Sequence, residues 1–378
     1  MQSSAPAVDS PAAGAPARGP DTPRDTEPTV LSIQVLRGLA ATAVLIFHAA
    51  ATFLLPAQIQ HSFAVLAGGV DVFFVISGFV MVHATQGRKH TFASFMRARI
   101  WRIVPIYWIT LLLAALLIRA EFGAFPEWRE ILQSYLFIPY TNPRNGLPAP
   151  YLVPGWTLNY EMFFYLAFGA TLFLGTATRQ LAVLVGAFAL LVVAHGWVGH
   201  WGAAADRFTS PLLFEFLGGM ALAILWPRLR SLPLAGALAL IVLAVVGFAA
   251  AATVTEHWPR TVRWGIPSVF LVAGALGIER YLREAALRPL LFLGAASYSL
   301  YLTHLLTIDA VRLLGAGEIE ASPLVTVAMA LLALALGCAF YVLIERPLMV
   351  LGRQRRSADV ALPRYGRGAV APSEATTS

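Results

Sequence analysis

The 378-residue sequence is short of charge, and that shortage limits its class. Charged residues make up only 12% of the chain, hydrophobic residues make up 58%, and the mean hydropathy is +0.70. Soluble globular domains average about 25% charged residues, so this composition excludes a soluble globular protein. We predict an all-α, polytopic membrane protein in which nearly all of residues 31–347 form one membrane domain.

Cysteine and lysine are almost absent. The single cysteine, Cys338, excludes an intrachain disulfide, and its apolar surroundings favour an inert buried thiol. Lys89 is the only lysine, so the net charge of +7 comes from arginines, which stand mostly at the ends of apolar segments. That placement is typical of membrane orientation and not of a nucleic-acid groove, so we expect no nucleic-acid partner.

Long apolar segments recur along the chain and are the main secondary-structure signal. A segment of about 17–25 apolar residues is long enough to cross a bilayer as a helix. A shorter apolar piece at 131–139 lies in a proline-rich loop, and we interpret it as interfacial or re-entrant. We therefore predict about ten spans, near 31–54, 66–85, 99–119, 157–175, 179–198, 209–226, 233–252, 263–280, 289–312 and 323–345.

The arginines also predict the orientation of these spans. With ten spans, the loops on the side of both termini hold more arginine than the loops on the other side, so both termini are expected in the cytoplasm. Residues 1–30 and the basic segment 348–378 lack apolar runs of this kind. We predict that both are disordered cytoplasmic tails.

The first span, which reads IQVLRGLAATAVLIFH, carries two ionisable residues, Arg37 and His48. Their separation of eleven residues is about three helical turns, so both side chains share one face and lie ~16 Å apart along the axis. Ionisable residues inside a span are costly and point by default to a functional site. The alternative is that Arg37 reaches a headgroup and His48 is a hydrogen-bonded packing residue.

Several other spans place a polar residue at the predicted outer depth of His48. Asp71 is a candidate to orient His48, because a carboxylate on the far imidazole nitrogen fixes the tautomer and strengthens the base. Asp71 could equally cap the start of its own helix. The other members of this outer layer are Glu161, Glu215 and His304, of which the last two could also be hydrogen-bonded structural residues.

Three arginines in SFMRARIWRIVPIYW stand at the predicted cytoplasmic end of the third span. Arg99 and Arg102 are three residues apart and share a helical face, whereas Arg97 comes two residues before Arg99. Arginine forks bind phosphate groups through two hydrogen bonds, so these residues are candidates to hold a phosphorylated donor. The alternative is a plain positive-inside anchor.

Taken together, these stretches resemble the acyltransferase-3 family of integral membrane acyltransferases, and most of all its exopolysaccharide-acetylating, ExoZ-like branch. The resemblance covers most of residues 31–347. Single motifs are weakly specific, but their order in a chain with about ten spans is highly specific. The motifs are LRGLAATAVLIFHA, GGVDVFFVISGF, RARIWRIVPIYW, GWTLNYEMFFY and SYSLYLTHLL.

The resemblance implies transfer of an acyl group, usually acetyl, from cytoplasmic acyl-CoA to a sugar hydroxyl, without a metal ion. It implies that Arg37 and His48 are needed for activity and that Arg99 and Arg102 face the donor side. The expected partners are acyl-CoA (acetyl-CoA in particular), a polysaccharide or lipid-linked glycan, and the lipids of the bacterial inner membrane. Other acceptors (a macrolide, a lipid or peptidoglycan) and a transporter of glycans or organic acids are the alternatives.

These expectations combine into one mechanistic hypothesis. The three inner arginines hold the CoA phosphates, the pantetheine arm runs along the Arg37 side of the first span, and the thioester reaches the outer layer. His48 then acts as general base, oriented by Asp71 or Glu161, or carries the acyl group itself. The residues expected to contact the acceptor are Trp156, Asn159, Glu215, Tyr301 and His304.

Overall fold

The protein is described by a computed structural model that covers residues 30–53, 63–87, 90–253, 258–315 and 322–352. Most of both predicted tails and the loop residues Arg88 and Lys89 lie outside the described residues. Within the described ranges the chain is helical and has no strand. The helices, numbered here in chain order, are α1 Leu31–Phe53, α2 Gly69–Thr85, α3 Phe92–Phe122, α4 Trp128–Tyr135, α5 Gly155–Ala170, α6 Ala177–Val198, α7 Ala203–Phe208, α8 Leu213–Leu229, α9 Leu234–Thr253, α10 Ile266–Ile278, α11 Glu284–Leu314 and α12 Pro323–Phe340.

In the described part of the chain, nine helical segments are long and apolar enough to cross a membrane. The prediction of an all-α, multi-pass membrane protein is therefore confirmed. The remaining predicted span, 157–175, corresponds to α5, which has only 16 residues and then gives way to a short 3₁₀ turn, Leu172–Leu174. α5 still lies inside the bundle, because its Phe164 and Phe168 are fully buried.

The apolar piece at 131–139 does not form a span. It overlaps α4, which has eight residues and ends at Tyr135, and Phe137 then adopts a left-handed backbone conformation that no regular helix continues through. The loop that follows is fastened to α4 by a two-pronged ion pair between Arg144 and Glu130, with the shorter bond at 2.6 Å. It then returns the chain to α5.

Toward the C-terminus the helical structure extends further than the sequence predicted. A π-helical turn, Tyr341–Glu345, follows α12, and the helix continues to Gly352, past the predicted boundary at 347. A second π turn, Thr261–Gly265, leads into α10. Such turns occur often at functional sites because they shift the side chains that follow them around the helix.

Glycines set the closest helix contacts. A Cβ atom on Gly294 of α11 would overlap the carbonyl oxygen of Gln34 on α1, and a Cβ atom on Gly78 of α2 would overlap that of Phe216 on α8. Without a hydrophobic force between helices in lipid, small residues that let backbones approach are a main source of packing energy. The α1–α11 contact is of particular interest because Arg37 and His48 both lie on α1.

We expect Gly294→Val to destabilise the protein by about 1–3 kcal/mol or more, because the new side chain forces α11 away from the α1 backbone. Thermal unfolding of detergent-purified protein measures the effect. Gly186→Val is the matched control, since a Cβ atom at Gly186 on α6 has no neighbour within 4 Å. Equal unfolding temperatures for the two variants would contradict the role given to this contact.

Candidate functional site

A first cavity, the arginine cavity, lies between α1, α2, α3, α5 and α11. Its walls combine apolar side chains with a polar set that includes three arginines and one carboxylate. The polar members are Arg37, Ser77, Arg99, Arg102, Thr157, Glu161, Tyr165, Ser297, Tyr298 and Tyr301.

Arg37 forms one side-chain hydrogen bond within α1 and one to α11. Its Nη2 donates to Ser297 Oγ at 3.0 Å, and its Nη1 donates to Gln34 Oε1 at 3.3 Å. These two bonds fix the guanidinium at the wall of the cavity. The arginine therefore does not simply extend to a headgroup at the bilayer surface.

Glu161 belongs to this arginine cavity and not to the surroundings of His48. Its Oε1 accepts hydrogen bonds from Ser77 Oγ at 2.9 Å and from the Tyr165 hydroxyl. Glu161 lies five residues along α5 from Trp156, about 7.5 Å deeper in the bundle. The prediction that Glu161 shares the depth of His48 is therefore corrected.

Two of the three candidate donor-binding arginines line the arginine cavity. Arg99 and Arg102 line the arginine cavity, and the Arg99 guanidinium also lies over the rings of Phe95 and Tyr165 at 5.4 and 6.0 Å. Arg97 is exposed and lies outside the cavity wall. The spacing along the helix explains the difference. Arg97 is two residues from Arg99, which turns its side chain by about 200°, whereas Arg102 is three residues from Arg99 and lies on nearly the same face.

A second cavity, the histidine cavity, lies next along α1. Its wall includes His48, His304, Trp156 and Arg260, and the end of the loop before α5 closes it with Val153 and Pro154. Val70 and Tyr301 line both cavities, so they form the boundary between them.

His48 and His304 form a directly bonded pair. His48 Nδ1 lies 2.9 Å from the Val44 carbonyl oxygen and 3.2 Å from His304 Nε2, while His304 Nδ1 lies 3.1 Å from the Leu300 carbonyl oxygen. A carbonyl oxygen only accepts, so in the neutral pair each Nδ1 carries its hydrogen, and the one on His48 is shared between the Val44 carbonyl oxygen and His304 Nε2. This assignment leaves the Nε2 lone pair of His48 available on a residue that lines the cavity.

The partner of His48 is thus a histidine, which corrects the expectation that Asp71 or Glu161 orients it. The fully buried Asp71 carboxylate is instead taken by Arg260, whose Nε and Nη2 donate to it at 3.1 and 2.6 Å. The guanidinium also donates to the Ala67 carbonyl oxygen at 3.1 Å. Burying an isolated carboxylate in a membrane interior costs desolvation free energy, and the ion pair with Arg260 offsets that cost for Asp71.

Glu215 and Asn159, both expected to contact the acceptor, are buried outside the walls of both cavities. The Glu215 carboxyl lies beside that of Asp71. Asn159 is about 200° around α5 from Thr157, which puts it on the opposite face from the residues of the arginine cavity.

Trp156 and Tyr301 do lie at the histidine cavity. The Trp156 ring is approached by two guanidinium groups, those of Arg207 and Arg260, at 5.3 and 5.8 Å from its centre. The Tyr301 hydroxyl donates to the Pro154 carbonyl oxygen at 3.3 Å and accepts from Thr157 Oγ1 at 3.0 Å. These bonds hold the Tyr301 ring at the boundary between the cavities.

Residues 30–342 match the acyltransferase-3 family model, described as an acyltransferase domain. The chain belongs to this family. The acyltransferase is 37% identical over 316 residues to the exopolysaccharide production protein ExoZ of Rhizobium meliloti, covering 82% of this chain and 96% of the relative.

Two further relatives are less similar. One is the acyltransferase MdmB of Streptomyces mycarofaciens, which is 26% identical over 88% of this chain and 95% of its own length. The other is the peptidoglycan O-acetyltransferase OatA of Listeria monocytogenes, 26% identical over 75% of this chain but only 50% of its own length. No solved structure matches the chain significantly.

Sequence reasoning missed several residues of the acyltransferase's cavities. Ser297 and Tyr298 lie within the SYSLYLTHLL motif, so their neighbours Tyr301 and His304 could have pointed to them. Arg260 gives no such local signal, because it stands among thinly spread loop arginines. Only the need of buried Asp71 for a cation could have led to it.

We expect Arg260→Met to cost about 3–5 kcal/mol of stability, because it leaves the adjacent carboxyls of Asp71 and Glu215 buried without a cation. Adding Asp71→Asn in the same chain is expected to restore most of the loss. Thermal unfolding of purified protein measures both effects. Arg230→Met is the control, since that exposed arginine lies on the Trp226 ring, and a loss of the same size there would contradict the buried-pair account.

Proposed function

We propose that this acyltransferase moves an acyl group, in the first place acetyl, from cytoplasmic acyl-CoA to a hydroxyl of an exported polysaccharide. The main supporting observation is that the arginine cavity and the histidine cavity follow one another along α1 and meet at Val70 and Tyr301. Such an arrangement suits a donor that enters on one side of the membrane and an acceptor that arrives on the other. The proposed location is the bacterial inner membrane, with both termini in the cytoplasm.

The donor side of this proposal is the arginine cavity. Arg99 and Arg102 would hold the phosphates of CoA through charge-assisted hydrogen bonds, and Glu161 with Arg37 would border the narrow pantetheine arm. The excess of arginine on the loops at this end of the bundle supports a cytoplasmic opening.

The chemistry is assigned to His48. Its Nε2 lone pair takes the proton of the acceptor hydroxyl, and the hydroxyl oxygen forms a bond to the thioester carbonyl carbon. The carbon–sulfur bond then breaks, CoA leaves as thiolate, and the proton held on His48 neutralises that thiolate. His304 is a positioning residue, because its Nε2 accepts from His48 Nδ1 and keeps the opposite nitrogen of His48 unprotonated.

A second route uses the same lone pair as a nucleophile. His48 Nε2 bonds to the thioester carbonyl carbon, the carbon–sulfur bond breaks and CoA leaves as thiolate. The acceptor hydroxyl oxygen then bonds to the acyl carbon, the carbon–nitrogen bond breaks, and the hydroxyl proton passes to the freed imidazole and from there to the thiolate. The two routes differ in one observable. Only the second leaves labelled acyl group on the protein when labelled acyl-CoA is supplied without an acceptor.

The polysaccharide acceptor is favoured by the relative of highest identity given above, whose name refers to exopolysaccharide production. Peptidoglycan is the second candidate, because another relative is named a peptidoglycan O-acetyltransferase. Mass spectrometry of surface polysaccharide and of peptidoglycan from a deletion strain separates the two. An acetyl group lost only from peptidoglycan would replace the first candidate by the second.

We expect His48→Ala to abolish acylation while the protein stays in the membrane and still binds acyl-CoA, because only the reacting nitrogen is removed. His304→Ala is expected to lower kcat strongly with little change in the KM for acyl-CoA. His304→Gln should keep more activity than His304→Ala, since the glutamine oxygen can accept from His48 Nδ1. Acyl transfer by purified protein measures all three, and unchanged acylation in His48→Ala would refute the assignment.

Replacing Arg102 or Arg99 by Ala is expected to raise the KM for acyl-CoA by about tenfold to a hundredfold, since a hydrogen bond to a charged group is worth about 1.5–3 kcal/mol. The control is Arg179→Ala, an exposed arginine at the start of α6 that lines neither cavity. Steady-state kinetics with varied acyl-CoA measure the change. If the control raised the KM as much as Arg102→Ala, a general surface charge and not the cavity would bind the donor.

A further inference from the structure

A group of three potential metal ligands lies apart from both cavities, at the end of α6 and the start of the next helical segment. His195 is in the last turn of α6, His200 is in the short connection, and Asp206 is in α7. Their ligand atoms all lie within 4.8 Å of one another. None of the three residues lines the arginine cavity or the histidine cavity.

The distances in this group fit a small tetrahedral metal ion. His200 Nδ1 is 3.3 Å from Asp206 Oδ2, and His195 Nδ1 is 3.7 Å from Asp206 Oδ1. Ligands at about 2.0–2.2 Å from a tetrahedral zinc ion are roughly 3.3–3.6 Å from each other. The ligand atoms of the group lie within 4.8 Å of one another, so they would have to move closer together to bind one ion, and His200 can move because its side chain is 91% exposed.

A second observation concerns His195 alone. Its Nδ1 is inaccessible to solvent, yet it has no hydrogen-bond partner among the described residues. That atom points toward Asp206 at a distance too long for a hydrogen bond. A buried nitrogen left in this way carries a desolvation cost that a coordinated cation would remove.

We propose that His195, His200 and Asp206 form a zinc-binding site with water as the fourth ligand. Two imidazoles and one carboxylate are a ligand set that Zn²⁺ accepts, whereas Mg²⁺ and Ca²⁺ prefer oxygen ligands throughout. This site goes beyond the acyl-transfer proposal and does not depend on it. It also differs from the expectation of a protein without metal.

The position of the site gives it a structural consequence. Asp206 is followed in α7 by Arg207, whose guanidinium lies over the rings of Trp156 and Tyr160. Trp156 is part of the wall of the histidine cavity. A zinc ion bound here would fasten α7 to the end of α6 and so steady Arg207 against that wall.

The test uses the full chain, purified through a tag without histidine, stripped with a chelator and titrated with zinc chloride against a fluorescent zinc indicator. We expect one zinc ion per chain. His200→Ala and Asp206→Asn should each weaken binding by roughly tenfold or more, since even losing a residue that only supports a ligand commonly costs that much. Zinc should raise the unfolding temperature of the unaltered chain but not that of either variant.

His83→Ala is the matched control, because His83 stacks on Phe79 of its own helix and belongs neither to the metal-ligand group nor to a cavity wall. Its zinc affinity should equal that of the unaltered chain. No zinc binding by the unaltered chain, or equal affinity in the chain and both site variants, would overturn the proposal. His200 is a suitable position for substitution because its exposed side chain contributes little packing, and size-exclusion chromatography checks that the variant remains folded.

Discussion

The close approach of α1 and α11 is the constraint on which both cavities depend. Gly38 and Gly294 allow the two backbones to touch, and a Cβ atom at either position would meet backbone atoms of the other helix. The polar links across this contact include the hydrogen bond from Arg37 to Ser297 and the one between the two histidines. Because the same pair of rigid helices carries both links, the distance between donor side and reacting nitrogen is set by helix geometry and not by loops.

Buried charge explains much of the remaining arrangement. Asp71 and Arg260 come from elements far apart in sequence, and they meet because neither could stay unpaired at that depth. Glu215 adds a second carboxyl beside the first, and two carboxyls can hydrogen-bond to each other only when one of them holds a proton. The cluster lies behind the histidine cavity, where Arg260 alone reaches the wall. Its role in the proposed reaction is therefore to hold Arg260 and Trp156 in place.

The sequence was sufficient for the fold class and for most of the charged residues and histidines that line the cavities. Apolar length identified the spans, and the cost of an ionisable residue in a span singled out Arg37 and His48. The sequence could not identify the partner of each polar side chain. Position along a helix axis can be counted from the sequence, but the direction in which a helix face points within the bundle cannot. Asp71 lies in the predicted segment yet faces Arg260, and Asn159 lies on the far side of α5. The predicted depth of Glu161 was wrong, because the start of α5 was predicted two residues too late and the angle at which α5 enters the bundle was unknown.

The nature of the partner of His48 also limits what chemistry the pair can do. A carboxylate would hold a positive imidazolium by charge, whereas His304 is neutral in the pair and offers only a lone pair to the His48 Nδ1 hydrogen. When His48 Nε2 gains a proton or an acyl group, the ring becomes cationic, and that Nδ1 hydrogen can pass toward His304 Nε2. The charge is then shared over two rings within an apolar bundle, without a fixed negative charge beside the reacting thioester. Both proposed routes use this sharing, so the histidine pair itself, and not the choice of base or carrier, is the feature that the geometry supports most directly.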